Sequence, residues 1–277
     1  MTEEVLRACA TGRISPQIAL ARLVLSGAPV DTATLATRAE REPAGSPLHQ
    51  VAALAAEHAP RLAKLGRIAA GGLDPEGPDL LAATAALFDR LAGEEPEAAV
   101  AFYSLGSPEL LAAATAELVA VVRSWVRVED RAVLDFGCGI GRMATALAPD
   151  AERVVGVDIS AGMIDQARKR AAGLANVAFE TTSGGTLPFP DAGFDLVIAV
   201  DSFPYLVRAG VTEAQLAELA RVLRPGGDLL VFNWSYRGDD AADAREAVDA
   251  ARFTVGRSGE RPFAIWDGVG YHLRRTA

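Results

Sequence analysis

Three glycines at alternate positions and an aspartate further along the chain are the residues whose spacing best predicts chemistry. Gly137, Gly139 and Gly141 follow an apolar run whose acid is Asp135. Because glycine has no Cβ, it allows a strand to turn sharply into a helix and lets the backbone approach a ligand closely. Asp158 lies 21 residues after Gly137, and an acid at about that distance accepts hydrogen bonds from ribose hydroxyls. The spacing therefore predicts a site for an adenosine-containing ligand.

A dinucleotide is the alternative ligand for such a turn. The dinucleotide fingerprint has a third glycine three residues after the second, so that the helix carrying the pyrophosphate packs closely on the strand. Arg142 occupies that position here. The pattern favours an adenosine ligand without a diphosphate and leaves a nicotinamide-dependent oxidoreductase as an alternative.

The elements that must position these residues follow from the pattern after residue 130. Short apolar runs alternate with helical segments, which is the βαβ alternation of a parallel sheet. The runs are nearly continuous, as strands buried on both faces should be. They cover residues 132–136, 153–157, 177–180, 196–200 and 228–232, with one or two further strands expected near 263–266 and 270–274.

The chain before this point has a different pattern. It is helical and rich in alanine, and it has no convincing alternation typical of a strand. We therefore expect an all-α N-terminal region over residues 1–106, followed by an α/β domain over residues 107–277. Helices are predicted to begin at the Ser15-Pro16 cap and near 31–41, 47–65, 78–92 and 107–126.

Charge and composition exclude some functions. The formal net charge is −9 and no basic run is present, whereas proteins that bind nucleic acid through its phosphates cluster Lys and Arg. No apolar stretch approaches the ~20 residues of a membrane helix, and the first residues do not resemble a signal peptide. Cys9 and Cys138 are far apart, which fits a reducing compartment. The three histidines have unrelated spacings, so no metal site is expected. A cytoplasmic protein is the expectation.

From about residue 130 onward, the chain resembles the class I S-adenosylmethionine-dependent methyltransferases. Four motifs occur in the family's order, which argues against coincidence. They are Asp135-x-Gly137-x-Gly139-x-Gly141, Val155 to Ser160 followed by Met163, Leu187 to Asp191 followed by Phe194-Asp195, and Leu223 to Gly227. The resemblance implies a Rossmann-like, mostly parallel seven-stranded sheet with helices on both faces.

The same resemblance implies S-adenosylmethionine as the cofactor. The glycine turn, with its neighbours Asp135, Cys138 and Arg142, would border the methionine part. Asp158 would hold the ribose, and Ile159 and Met163 would flank the adenine. Many relatives place an acid near the adenine amino group. Here that position is Ser183, followed by Gly184, so either Ser183 or a backbone group replaces the acid, or the adenine contact is weaker.

The fold would place an acceptor beyond the carboxyl ends of the strands. Asp201 is the candidate for a base or an orienting group, and Tyr205 is the second catalytic candidate. The alternative is that Asp201 only receives backbone amides or contacts the cofactor. Candidate acceptor-binding residues are Tyr103, Phe203, Asn233, Trp234 and Tyr236. Aromatic side chains at strand ends also serve as core, so both interpretations stay open for Tyr205, Trp234 and Tyr236. Tyr103 would either fold back as a lid over the methionine end or pack between the two regions.

Methyl transfer to a small-molecule acceptor by in-line displacement is therefore the predicted function. A protein that binds S-adenosylmethionine for regulation without catalysis is a further alternative. In similar enzymes, helical N-terminal extensions cover the substrate or form a dimer contact, and both roles are open for residues 1–106. No nucleic-acid or membrane partner is expected.

Overall fold

The computed structural model describes residues 2–27 and 30–277. The helices are α1 (Thr2–Ala10), α2 (Pro16–Leu25), α3 (Thr32–Ala39), α4 (Pro47–Glu57), α5 (Ala59–Ala70), α6 (Leu80–Glu94), α7 (Pro96–Val100), α8 (Pro108–Trp125), α9 (Arg142–Leu147), α10 (Ala161–Arg170), α11 (Phe203–Ala209), α12 (Thr212–Val222) and α13 (Asp240–Val248). The strands are β1 (Ala132–Phe136), β2 (Arg153–Asp158), β3 (Val177–Thr181), β4 (Phe194–Val200), β5 (Leu223–Phe232), β6 (Phe253–Glu260) and β7 (Gly270–Arg275).

The chain forms two compact units. The helical unit comprises Met1–Asp74, Glu97–Ala114 and Phe263–Asp267, and the sheet unit comprises Pro75–Pro96, Thr115–Pro262 and Gly268–Ala277. This division of the chain differs from the boundary expected after residue 106. Helix α6 belongs to the sheet unit, and the tail segment Phe263–Asp267 belongs to the helical unit.

In the helical unit, the cap predicted at the start of α2 is confirmed. Ser15 Oγ accepts a hydrogen bond from the Ile18 amide at 3.1 Å, and Pro16 occupies the first turn. The single helix expected over residues 47–65 is instead α4 and α5. His58 leaves helical geometry between them, and Pro60 stands in the first turn of α5, where its missing N–H does no harm.

The strand expected near residues 263–266 is wrong. Pro262 precedes this segment and cannot donate to a strand ladder, and the segment packs within the helical unit instead. The ring of Trp266 stacks on Tyr103 at 5.7 Å, and Ser15 Oγ donates to the Ile265 carbonyl at 2.6 Å. The missing strand of the sheet is β6, which lies earlier in the chain.

The sheet unit contains one seven-stranded sheet in the order β3-β2-β1-β4-β5-β7-β6. The first five strands are parallel, whereas β7 runs antiparallel to both β5 and β6. Every residue of β1 is buried, as expected of a central parallel strand covered on both faces. The predicted α/β fold with a seven-stranded sheet is confirmed.

The strand order creates a crevice at one edge of the sheet. β1 pairs with β2 on one side and with β4 on the other. The chain therefore adds β2 and β3 on one side of β1, and it adds the later strands on the other side. In parallel α/β sheets, ligands bind beyond the carboxyl ends of the strands at such a point. Within the described part of the chain, no helix is both long and apolar enough to cross a membrane.

Candidate active site

The first glycine of the turn fits only because it has no side chain. Gly137 has φ +72°, and a Cβ added to it would lie 2.4 Å from Ser202 Cβ. The amides of Gly137 and Cys138 both donate to the Val157 carbonyl, at 2.8 and 2.9 Å. The turn after β1 is therefore pressed against the loop after β4 and tied to the end of β2.

The third glycine has a different reason. Gly141 has φ +71° at the start of α9, and an added Cβ would lie 2.7 Å from Phe179 Cζ and 2.9 Å from Ala167 Cβ. The close approach of α9 to β3 and α10 therefore requires glycine here. This is the helix-to-strand packing for which the sequence pattern selects a small residue.

Asp158 lies beside the second glycine. Its Oδ2 accepts from the Gly139 amide at 2.8 Å and its Oδ1 accepts from the Ser160 amide at 2.9 Å. Burial raises the pKa of Asp158, while these amide donors oppose the rise. Each carboxylate oxygen can accept more than one hydrogen bond, so the carboxylate can also receive the two hydroxyls of a ribose. The donor and acceptor chemistry at this position fits an adenosine.

Asp135 is buried at the carboxyl end of β1, 2% exposed. Its Oδ2 accepts from the Ala144 amide at 3.0 Å. Burial raises the pKa of Asp135 to about 7, against the opposing effects of that amide and of Arg142. Arg142 is itself buried and donates to Thr115 Oγ1 at 3.3 Å. Cys138 is also buried, and burial raises the pKa of its thiol well above the ordinary value.

The expected adenine side contains a residue that the sequence did not single out. A Cβ added at Gly184 would lie 3.5 Å from Ile159 Cγ2 and 3.1 Å from Leu81 Cδ1 of α6. Ser183 is exposed, whereas Met163 is fully buried. The surface next to Gly184 is therefore apolar. It is formed by Ile159, which follows β2, and by Leu81 of α6.

The loop of Gly184 is held by α12. Gln215 Nε2 donates to the carbonyls of Gly184 and Gly185, at 2.6 and 3.2 Å, and the Gln215 side chain is buried. These bonds fix the backbone directly after Ser183.

A carboxylate from α6 caps α10 next to this site. Asp89 Oδ1 accepts from Ser160 Oγ at 2.6 Å and from the Gly162 amide at 2.8 Å. Ser160 Oγ in turn accepts from the Met163 amide at 3.0 Å. Sequence reasoning missed Asp89, because a single acid about 70 residues before its partners carries no spacing signal.

On the acceptor side, Asp201 and Asn233 follow β4 and β5 directly. Both have left-handed backbones, with φ +60° and +68°. The Asp201 amide donates to the Phe232 carbonyl and the Asn233 amide donates to the Val269 carbonyl, both at 2.8 Å. Asn233 Nδ2 donates to Asp201 Oδ1 at 2.9 Å. The two loops therefore meet side by side beyond their strands.

Aromatic residues surround this pair. The ring of Tyr205 meets Tyr236 edge-on at 6.1 Å and Phe88 of α6 edge-on at 5.3 Å. Tyr236 exposes 61% of its surface, and its hydroxyl forms side-chain hydrogen bonds with Asp201 and Tyr205. Burial of the hydroxyl, followed by the Asp201 carboxylate, raises the pKa of Tyr236 well above its ordinary value. The cluster combines one carboxylate, two phenols and an apolar ring.

The remaining acceptor-binding candidates lie elsewhere. Phe203 and Trp234 are 0% and 1% exposed, and their rings pack together in the core at 5.1 Å, as the core interpretation expected. Tyr103 is buried in the helical unit against Trp266. Of the five candidates, the structure brings Asn233 and Tyr236 to Asp201 and Tyr205.

Sequence comparisons relate part of this chain to methyltransferases. Residues 133–227 match the family model described as a methyltransferase domain. A demethylmenaquinone methyltransferase of Tropheryma whipplei is 38% identical over 104 residues, covering 38% of this chain and 42% of that protein. A 2-methyl-6-phytyl-1,4-hydroquinone methyltransferase of Synechocystis is 36% identical over 108 residues, covering 39% of this chain and 33% of that protein.

A solved structure supports the fold. The phosphoethanolamine N-methyltransferase 1 of Haemonchus contortus, in complex with phosphoethanolamine and S-adenosylhomocysteine, has a TM-score of 0.53 at 15% identity, covering 71% of this chain and 49% of that chain. The chain spans less than half the length of the two curated relatives. The family match contains the glycine turn and Asp158, and it ends before Asn233. Residues 133–227 of this chain are therefore similar to a methyltransferase domain.

Proposed function

We propose that this chain transfers a methyl group from S-adenosylmethionine to a small-molecule acceptor. One observation carries the proposal. The half-buried Asp158, bound to the Gly139 and Ser160 amides, and the cluster around Asp201 both lie beyond the carboxyl ends of parallel strands in one unit. A nucleoside site and a polar, aromatic acceptor site on one edge are what in-line transfer between two ligands requires.

The chain's own groups have separate tasks in this proposal. S-adenosylmethionine, when bound, supplies a methyl group on a positively charged sulfur, which an acceptor atom attacks in line. Asp158 receives the ribose hydroxyls, and the glycine turn lets the protein backbone approach the ligand closely. Asp201, oriented by Asn233, accepts the proton that an acceptor hydroxyl or amine loses as its bond to the methyl group forms.

The acceptor class follows from the cluster and the relatives. Phe88, Tyr205 and Tyr236 offer aromatic surface, and Asp201 offers a hydrogen-bond acceptor, which together suit an aromatic hydroxyl compound. Two relatives are named for methylating a demethylmenaquinone and a 1,4-hydroquinone. We therefore place a hydroquinone first among the acceptors to be tested. The net charge of −9 supports a small-molecule acceptor over nucleic acid.

The location and assembly of the protein belong to the same proposal. A cytoplasmic location is supported by the composition and by the two free, buried cysteines. The N-terminal region expected from the sequence, residues 1–106, is proposed to cover the acceptor or to join two copies. Residues 107–277 are proposed to supply the catalytic domain.

Calorimetric titration tests the cofactor. Wild-type protein should bind S-adenosylmethionine and S-adenosylhomocysteine but not NAD, and Asp158→Ala should weaken both by about tenfold or more, since a charged hydrogen-bonding partner is lost. Asp165→Ala is the matched control, because Asp165 is an exposed acid on α10 that pairs with Arg168. Binding of NAD alone would refute the proposal.

Methyl release with a water-soluble 1,4-hydroquinone tests the reaction. Turnover that is lost in Asp201→Asn, with S-adenosylhomocysteine affinity retained, would support catalysis at this cluster. Cofactor binding without methyl transfer to any of a set of hydroquinone, phenol and amine acceptors would favour the regulatory alternative.

A further inference from the structure

The loop after β5 is fastened to α13 by side chains on both sides of Tyr236. Trp234 Nε1 donates to Glu246 Oε2 at 2.9 Å. Ser235 Oγ lies 2.8 and 2.9 Å from the two carboxylate oxygens of Asp243. Arg237 donates from Nε to Asp243 at 3.2 Å and from Nη1 to Glu246 at 2.5 Å. Two carboxylates of one helix therefore hold the loop.

Tyr236 lies between two of the fastened residues and turns elsewhere. Its ring meets Tyr205, its hydroxyl bonds with Asp201 and Tyr205, and most of its side-chain surface is exposed. Because Ser235 and Arg237 are both bonded to Asp243, the backbone is fixed immediately before and after Tyr236. The direction of the Tyr236 side chain therefore depends on Asp243.

Asp243 is the central group of this attachment. Its side chain is 6% exposed and that of Arg237 is 37% exposed. A buried carboxylate is costly unless it is hydrogen-bonded, and here a hydroxyl and a guanidinium satisfy it. Buried ion pairs contribute little net stability compared with apolar residues of similar size. Their benefit lies in fixing geometry, and the geometry fixed here is that of the Tyr236 loop.

Apolar packing already holds α13 in place. Ala247 is fully buried in the main core, together with Ala250 just beyond the helix. Loss of the charge on Asp243 should therefore loosen the loop while leaving the helix docked.

We propose that Asp243 is a positioning residue for the acceptor site, which acts by holding Tyr236 against Asp201 and Tyr205. The proposal rests on the proposed function, because it gives Tyr236 a place in the acceptor site. It adds α13, beyond the matched family segment, as an element that sets acceptor binding in this chain.

The ionisation of Tyr236 tests the positioning without cofactor or acceptor. In the wild-type protein, Tyr236 should ionise at a higher pH than an ordinary tyrosine when the absorbance of tyrosinate is followed, because burial of its hydroxyl and the Asp201 carboxylate raise its pKa well above the ordinary value. In Asp243→Asn, the loosened side chain should move its hydroxyl away from Asp201 and Tyr205 into solvent, so that one more tyrosine ionises near pH 10. Circular dichroism over the same range confirms that the fold persists.

Two controls identify the residue and the cause. The additional signal must vanish in Asp243→Asn/Tyr236→Phe, which separates it from Tyr271, whose pKa burial and Asp243 also raise. Asp240→Asn removes an exposed acid from the same helix, one that pairs with Arg261, and should titrate like the wild type. Identical titration of Asp243→Asn and wild type would overturn the positioning role.

Kinetics with the 1,4-hydroquinone then separate the two proposals. Asp243→Asn should lower kcat/KM for the acceptor by about tenfold, through a higher KM or a lower kcat, while the affinity for S-adenosylhomocysteine stays unchanged. Asp240→Asn should have the kcat/KM of the wild type. Unchanged kcat/KM despite an altered titration would remove Tyr236 from the acceptor site. No turnover in the wild type would contradict the proposed acceptor, and the titration would still decide the positioning.

Discussion

The side-chain amide of Asn233 donates to the carboxylate of Asp201 at 2.9 Å, although the two residues lie 32 positions apart in the chain. The oxygen of the same amide accepts from the Val269 backbone at 3.2 Å. Asn233 therefore connects three loops, and both members of the pair have a left-handed backbone. Such conformations cost about 1 kcal/mol or more for most residues other than glycine and less for Asn and Asp, and they cluster at functional sites because the surrounding structure holds them.

Replacement of Asn233 should separate the cost of the backbone from the role of the amide. Asn233→Ala and Asn233→Gly both remove the bond to Asp201, so both should lower methyl-transfer kcat by about tenfold. Alanine is strained at φ +68°, whereas glycine adopts this conformation without strain. Asn233→Gly should therefore be about 1 kcal/mol more stable than Asn233→Ala. Urea unfolding and methyl-release kinetics measure the two effects. Full activity in either variant would contradict a role of the amide in orienting Asp201.

The contact between Gly137 and Ser202 predicts a compensating pair of substitutions. Gly137→Ala places a Cβ 2.4 Å from Ser202 Cβ on a backbone with positive φ, and should destabilise the protein by about 3 kcal/mol or more. Ser202→Gly removes the clashing atom at the cost of the bond from Ser202 Oγ to the Phe136 carbonyl.

The double variant Gly137→Ala/Ser202→Gly should therefore be more stable than Gly137→Ala, although less stable than the wild type. Urea unfolding of the four proteins completes a double-mutant cycle. Additive effects of the two substitutions would show that the turn relaxes away from the loop after β4, against the close packing inferred here.

The placement of Asp158 beside the glycine turn could be predicted because a sharp strand-to-helix turn and an acid at the end of the next strand each follow from residue type at a fixed local spacing. The sheet could be predicted for a similar reason, since buried parallel strands are apolar throughout. Leu81 and Asp89 of α6, and Asp243 of α13, could not be found in this way. They reach the site through packing between elements that are distant in sequence, and an ordinary Leu or Asp in a helix carries no signal of that. The error near residues 263–266 has a related cause, because aromatic residues suit a strand and a helix-docked loop equally well.

The carboxylate of Asp89 is one of the polar groups that hold α6 against α10, together with the bond from Gln166 Nε2 to the Ala92 carbonyl. Asp89→Ala leaves Ser160 Oγ and the Gly162 amide without their shared acceptor, so amide hydrogen exchange over Leu80–Glu94 should accelerate. S-adenosylhomocysteine affinity should fall severalfold, because Leu81 of the same helix lies beside Ile159 and Gly184.

A second acid on α6 provides the control. Glu94 pairs with Arg90 on the exposed surface, and Glu94→Ala should change neither exchange nor affinity appreciably. Equal exchange in the Asp89 and Glu94 variants would mean that the bonds of Asp89 do not hold α6.

The buried Asp135 predicts a pH dependence of stability. Its pKa of about 7 in the folded protein is above the value near 4 that an unfolded chain gives. Between these two values the folded state keeps a proton that the unfolded state has lost, so the free energy of unfolding decreases as pH rises from about 4 to about 7 and this contribution is constant above. Asp135→Asn keeps an oxygen for the Ala144 amide and removes the ionisation. The variant should therefore gain stability relative to the wild type as pH rises, by at most a few kcal/mol.

Urea unfolding at several pH values from 5.5 to 8 measures this difference. The stability of Asp135→Asn relative to the wild type should rise up to about pH 7 and then level off, whereas Asp165→Asn, at an exposed position of α10, should show no such trend. Bound S-adenosylmethionine carries positive charge and, at the place that the family resemblance implies, lies near Asp135. It should therefore favour the ionised Asp135 carboxylate and reduce the difference in stability between Asp135→Asn and the wild type. Parallel curves for wild type and Asp135→Asn would mean that Asp135 is already ionised throughout, and that its bond with the Ala144 amide and its attraction to Arg142 outweigh the effect of burial.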